Sequence, residues 1–161
     1  MINYLIGKVK EIKEKTVTIM IGGFGLCVQV LQPQNFIKDK EIELYIYLHW
    51  NQEKGITLFG FENELEKTVF LMIIDCPKIG PGIAMNILSQ ISAGQFLEIV
   101  SSQNEDALSS INGIGPKKSE QIIVQLKHKV SKLLASGKIS AYSQQDFTQW
   151  QNVNDVLVSL N

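Results

Sequence analysis

The residues best placed for chemistry in this chain form one run: Ile111-Asn112-Gly113-Ile114-Gly115-Pro116-Lys117-Lys118. The glycines permit a tight turn and a close approach by a ligand, and Pro116 has the fixed φ suited to a first helical position. Free N–H groups at the start of the helix that follows carry a partial positive charge, so they make a phosphate site, to which Lys117 and Lys118 add mobile cations. Nothing in the run reads a base edge. The plain structural alternative is a tight connection between two helices.

A second copy favours the phosphate reading. An offset of 35 residues carries Pro77-Lys78-Ile79-Gly80-Pro81-Gly82 onto Asn112 to Lys117, with Ile79, Gly80, Pro81 and Ile87 falling on Ile114, Gly115, Pro116 and Ile122. Paired helix-hairpin-helix units of this spacing can hold two points on one nucleic-acid backbone without reading sequence. The first copy departs in two places. Lys78 stands at the position of Gly113, where a positive φ would strain it, and Gly82 stands at the position of Lys117. A packing hairpin with little DNA affinity is the alternative for this copy. The candidate DNA-binding residues are therefore Lys78, Gly80, Gly82, Gly113, Gly115, Lys117 and Lys118.

Composition places these runs in an ordered protein of 161 residues, 45% apolar and 19% charged. Its net charge of −1, from 15 lysines and no arginine against 16 acids, does not advertise nucleic-acid binding, so such a surface must come from local clustering. One cluster exists: Lys117, Lys118, Lys127, Lys129 and Lys132 are opposed only by Glu120. A solvated helix face is the bland reading of such a run. Cys27 and Cys76 lie in apolar surroundings without partners at metal spacing and read as reduced, semi-buried residues. His49 and His128 show no ligand pattern, and no metal or cofactor is expected. No apolar stretch approaches the roughly 20 residues that span a bilayer, and the expectation is a cytoplasmic protein with no membrane contact.

Two kinds of element must position the hairpins. Residues 1–62 read as β: Tyr4 to Ile12, an alternating strand over Thr16 to Ile21, a Gly22-Gly23 turn into Leu26 to Val30, a second alternating strand over Glu41 to Trp50, and Ile56 to Phe61. Five short strands linked by short loops predict a barrel of the oligonucleotide-binding type, with another five-stranded barrel as the alternative. Asn51 to Gly55 is its polar tip. Residues 63–134 take helical period, with capping boxes expected at Asn63/Glu66 and Ser92/Gln95 and a long last helix whose core stripe is Ile122, Leu126, Val130 and Leu133. Residues 135–149 read as a linker, and 150–161 as one short amphipathic helix, marginal unless docked. The fold class is thus α+β and multidomain.

Gly22-Gly23-Phe24-Gly25, the closing Leu58-Phe59-Gly60-Phe61 and the paired hairpins ending in Gly113-Ile114-Gly115-Pro116-Lys117-Lys118 together resemble the RuvA family. The resemblance is colinear from Met1 to about Val130 and is carried by order and spacing. It implies a homotetramer that binds four-way (Holliday) junction DNA, gripping each arm through minor-groove phosphates with both hairpins. It implies no catalysis of its own, a hexameric RuvB-type ATPase motor for branch migration and a RuvC-type resolvase as partners, and an acidic pin at Asn51 to Gly55, represented here by Glu53. The family pattern has two adjacent acids at the pin, whereas Lys54 follows Glu53. Only the first helix of the family's three-helix motor-docking domain is matched, at 150–161. The second reading is a general duplex-binding module without junction selectivity. A base-excision enzyme is disfavoured, because no Asp follows the second hairpin until Asp146.

Overall fold

The computed structural model describes residues 2–136; the expected linker from 137 onward and the helix at 150–161 lie outside the described residues. Five strands come first: β1 (Tyr4–Ile12), β2 (Thr16–Ile21), β3 (Phe24–Val30), β4 (Glu41–Asn51) and β5 (Gly55–Phe61). They close in the order β1-β2-β3-β5-β4, with β4 returning to β1. All pairs are antiparallel except β3 with β5, and the result is the expected barrel of the oligonucleotide-binding type. A shift of register between Val9 and Glu11 bends β1, so that it can pair with β2 along one part and β4 along another.

Alternation fills the barrel. Val17 and Ile19 of β2, Val28 and Val30 of β3, and Leu44 and Ile46 of β4 point inward and are buried. Closure is tight enough that a Cβ on Gly60 would come within 2.7 Å of Val28 Cγ1 and 2.9 Å of Leu44 Cδ1. The same alternation corrects one expectation. Cys27 lies between the inward residues Leu26 and Val28 and is exposed, whereas Cys76 is buried as part of the helical core. Burial pushes the Cys76 thiol pKa up.

Five helices follow: α1 (Glu64–Ile74), α2 (Pro81–Gln90), α3 (Ala93–Ser101), α4 (Glu105–Ser109) and α5 (Pro116–Ala135). Asn63 caps α1 by accepting from the Glu66 N–H, but the reciprocal half of the expected box is displaced: Glu66 accepts from the N–H of Glu62 at 3.0 Å, not from Asn63. The box at Ser92 and Gln95 is complete. In α5, Ile122, Leu126 and Val130 are buried, and Leu133 packs half-buried against them.

The helical core begins on the outside of the barrel. Along β5, Leu58 faces the interior while Phe59 and Phe61 face the helices, so the strand is buried on both sides. That explains the unbroken apolar run at Leu58 to Phe61, because a strand covered on two faces has no polar side to alternate with. Phe70 of α1 completes the joint, with ring centroids 4.8 Å from Phe61, 5.5 Å from Phe59 and 5.4 Å from Tyr47 of β4. No single helix among the described residues is long and apolar enough to cross a membrane.

Candidate nucleic-acid interface

The two hairpins adopt the same geometry. The link between α1 and α2 turns through Lys78 at φ 63°, and the link between α4 and α5 turns through Gly113 at φ 85°. In each, an isoleucine then inserts into the core: Ile79 bonds back to the Cys76 carbonyl at 3.1 Å, and Ile114 to that of Ile111 at 3.0 Å. Each helix starts from a glycine N-cap, Gly80 at φ −96°, ψ 172° and Gly115 at φ −88°, ψ 170°. Lys78 thus occupies the left-handed region anticipated from the repeat, at a cost of about 1 kcal/mol relative to an unstrained residue.

The N-caps separate these two helices from the other three. α1, α3 and α4 are each capped by a side chain, from Asn63, Ser92 and Asn104. α2 and α5 have no side-chain cap. Gly80, Gly82 and Gly115 have extended or helical φ, and a Cβ on any of them would meet nothing within 4 Å. Neither backbone conformation nor packing within the chain calls for glycine at these three positions. Their effect is to leave the first turns of α2 and α5 bare to anything that approaches from outside.

Charge differs between the copies. Lys117 is exposed and Lys118 half-buried on the first turn of α5. The equivalent positions on α2 hold Gly82 and Ile83, and the exposed cation of the first hairpin is Lys78 in the loop. Lys and Gly are therefore interchanged between loop and helix in the two copies. Of the remaining lysines of α5, Lys129 pairs with Asp75 at the end of α1, which raises its pKa through the hydrogen bond.

Ser119 holds α5 in place from below. It is the one fully buried polar residue described, and its hydroxyl donates to the Glu105 carbonyl of α4 at 2.8 Å. Removing the hydroxyl with Ser119→Ala is expected to lower stability by about 1 kcal/mol, read as the midpoint of urea unfolding.

Sequence reasoning missed the residues that join the copies. Asn86 and Gln90 of α2 donate to the Asn112 carbonyl, and Gln121 of α5 donates to the Pro77 carbonyl. The repeat offers a signal for them, since Asn86 falls on Gln121, both carboxamides.

The structure brings the hairpins together but sets Glu53 apart. It lies in the turn between β4 and β5, exposed, where the Asn51 side chain accepts from the N–H groups of Glu53 and Lys54 at 2.9 and 3.0 Å. The ribbon pairs Tyr45 with Phe61 at the helix-bearing end and Asn51 with Gly55 at the tip, which puts the tip about 20 Å along the strands from that end. Just behind the tip, Trp50 and Ile56 face each other across the ribbon, 65% and 64% exposed. Among the described residues no group of three or more His, Cys, Asp or Glu could hold a metal ion.

Known proteins are similar to this chain in sequence. The family model described as RuvA N terminal domain matches residues 1–60, and that described as SAM-like Helix-hairpin-helix tandem matches residues 70–128. Similar curated proteins include three named Holliday junction branch migration complex subunit RuvA. That of Bacteroides fragilis is 33% identical over 81% of this chain and 65% of its own length. That of Bacteroides thetaiotaomicron is 32% identical over 88% and 72%, and that of Cytophaga hutchinsonii 32% identical over 94% and 76%. The chain thus spans about two thirds to three quarters of the length of these relatives. Since relatives 32% identical are matched over more than two thirds of their own length, the chain belongs to the RuvA family.

Proposed function

We propose that the protein is a non-enzymatic scaffold that binds four-way junction DNA through its two hairpins, without sequence preference. The observation that carries this reading is the contrast in capping: three helices are closed by side chains, while α2 and α5 present bare glycine-capped first turns. Backbone N–H groups at Gly80, Gly82 and Gly115 and the ammonium groups of Lys78, Lys117 and Lys118 would receive phosphates, with Gly113 shaping the second turn. Two such sites in one chain suit neighbouring phosphates of one duplex arm, and four chains around a crossover suit four arms. In this reading the protein acts in the cytoplasm as a homotetramer, Glu53 repels phosphates at the crossover, and the assembled junction is offered to a RuvB-type hexameric ATPase motor and a RuvC-type resolvase. The names of the relatives support junction binding.

A second reading, general duplex binding, is favoured by the neutral first turn of α2 and by Lys54 beside Glu53. Gel-shift titration against a four-way junction and a linear duplex of equal length, at two salt concentrations and with the protein's mass measured in parallel, separates the two. Junction-selective binding by a tetramer that weakens steeply with salt is expected. Equal affinity for both DNAs, with a monomeric mass, would establish the second reading instead.

A further inference from the structure

The two hairpin helices do not rest mainly on each other: α2 packs chiefly on α1, and α5 on α3 and α4. The side-chain bonds that join the hairpins directly include a reciprocal pair. Asn86, on the second turn of α2, donates through Nδ2 to the Asn112 carbonyl of the second hairpin at 2.5 Å. Gln121, on the second turn of α5, donates through Nε2 to the Pro77 carbonyl of the first hairpin at 2.6 Å. The offset of 35 residues that superposes Pro77 on Asn112 also superposes Asn86 on Gln121. Each hairpin's helix therefore holds the other hairpin's loop, at the same position and with the same chemistry.

Each arm of this pair is reinforced differently. On one side Gln90 accepts from the Asn112 N–H at 3.1 Å and donates to its carbonyl at 3.3 Å. On the other, Lys129 of α5 pairs with Asp75, two residues before Pro77. The bonded carbonyls lie only three residues before the glycine N-caps, so they fix the loops that carry the phosphate-facing groups. Asn86 also bounds the second turn, since a Cβ on Gly113 would lie 3.2 Å from Asn86 Nδ2.

We propose that Asn86 and Gln121, supported by Gln90, are positioning residues that set the separation of the two hairpins, so that both engage one DNA backbone at once. This rests on the DNA-binding reading above. Two weak phosphate sites act as one strong one only when engagement of the first holds the second at high effective concentration, and that requires a fixed spacing. A carboxamide bonded to a loop carbonyl removes the freedom that otherwise has to be lost on binding. Neither residue touches DNA in this arrangement; each acts through the loop that it holds.

The test is Asn86→Leu combined with Gln121→Met, which keeps side-chain size and removes the reciprocal pair of donors, leaving only the longer bonds of Gln90. Junction affinity is measured by fluorescence anisotropy over a salt series, with the unfolding midpoint alongside. An affinity lowered about tenfold is expected, together with a dependence of log affinity on log salt that is shallower by the equivalent of about one phosphate or more. Asn86→Gln, which keeps the carboxamide, is expected to stay within about threefold of wild type. Wild-type affinity and slope in the double variant overturn the proposal, provided that Lys117→Glu with Lys118→Glu has abolished binding. If that lysine variant also binds as wild type does, the DNA-binding reading itself fails. Should the double variant unfold, Gln121→Met alone carries the test: a flattened slope supports the proposal, and an unchanged one overturns it.

Discussion

Replacing Lys117 and Lys118 together with glutamate is expected to abolish junction binding while leaving the fold intact. Lys117 is exposed and Lys118 half-buried, and neither side chain has a hydrogen-bond or ion-pair partner among the described residues. The change substitutes two negative charges for two positive ones on the first turn of α5, beside the N-terminus where an anion would otherwise be favoured. Each phosphate left without its lysine keeps its counterions and forfeits the gain from their release, and each new carboxylate adds repulsion, so a loss of about a hundredfold or more at low salt follows. Acidic residues are acceptable in a first helical turn, which is why the unfolding midpoint is expected to hold. Filter-binding titration with a synthetic four-way junction reads the first quantity and urea unfolding the second. Unchanged affinity at low salt would exclude these lysines from the interface.

The second large effect lies far from any phosphate. Phe70→Ala is expected to destabilise the protein by about 3–5 kcal/mol, the range for truncating a buried aromatic residue. Phe70 is fully buried and packs on Tyr47, Phe59 and Phe61, so it belongs at once to the outer wall of the barrel and to the helical core. The vacated space cannot be filled by local adjustment, because two strands of a closed barrel form one side of it. Barrel and helices should then lose stability together, as one transition in urea at a lower midpoint. Two separated transitions, with the barrel unaffected, would show that this cluster does not couple them.

Both expectations depend on features that differ in how far a reader of the sequence can see them. The hairpins were legible because their determinants are local: glycine and proline fix backbone angles within a few residues, and the same pattern recurs after 35 positions. The positive φ at Lys78 was legible for the same reason. Strands β2 and β4 were visible in their period of two, down to which residues face the barrel interior.

Other features require partners distant in sequence. That Phe59 and Phe61 turn away from the barrel toward α1 cannot be read from a run of apolar residues, since burial on one face and on two look alike until something covers the second face. The exposure of Cys27 was hidden for a related reason, because its apolar neighbours Leu26 and Val28 point the other way. Glu66 was expected to reach Asn63 and instead reaches Glu62, a difference of one residue set by how the chain leaves β5.

The amino-acid sequence by itself determined the elements, their order, the two glycine-capped turns and the lysines beside them, since all of these follow from conformational preferences acting over a few residues. Only the tertiary structure decided that the two turns stand side by side, each loop held by a carboxamide from the other's helix. Hydrogen bonds between residues 26 and 44 positions apart depend on where the packed core places their helices, and no local preference specifies that placement.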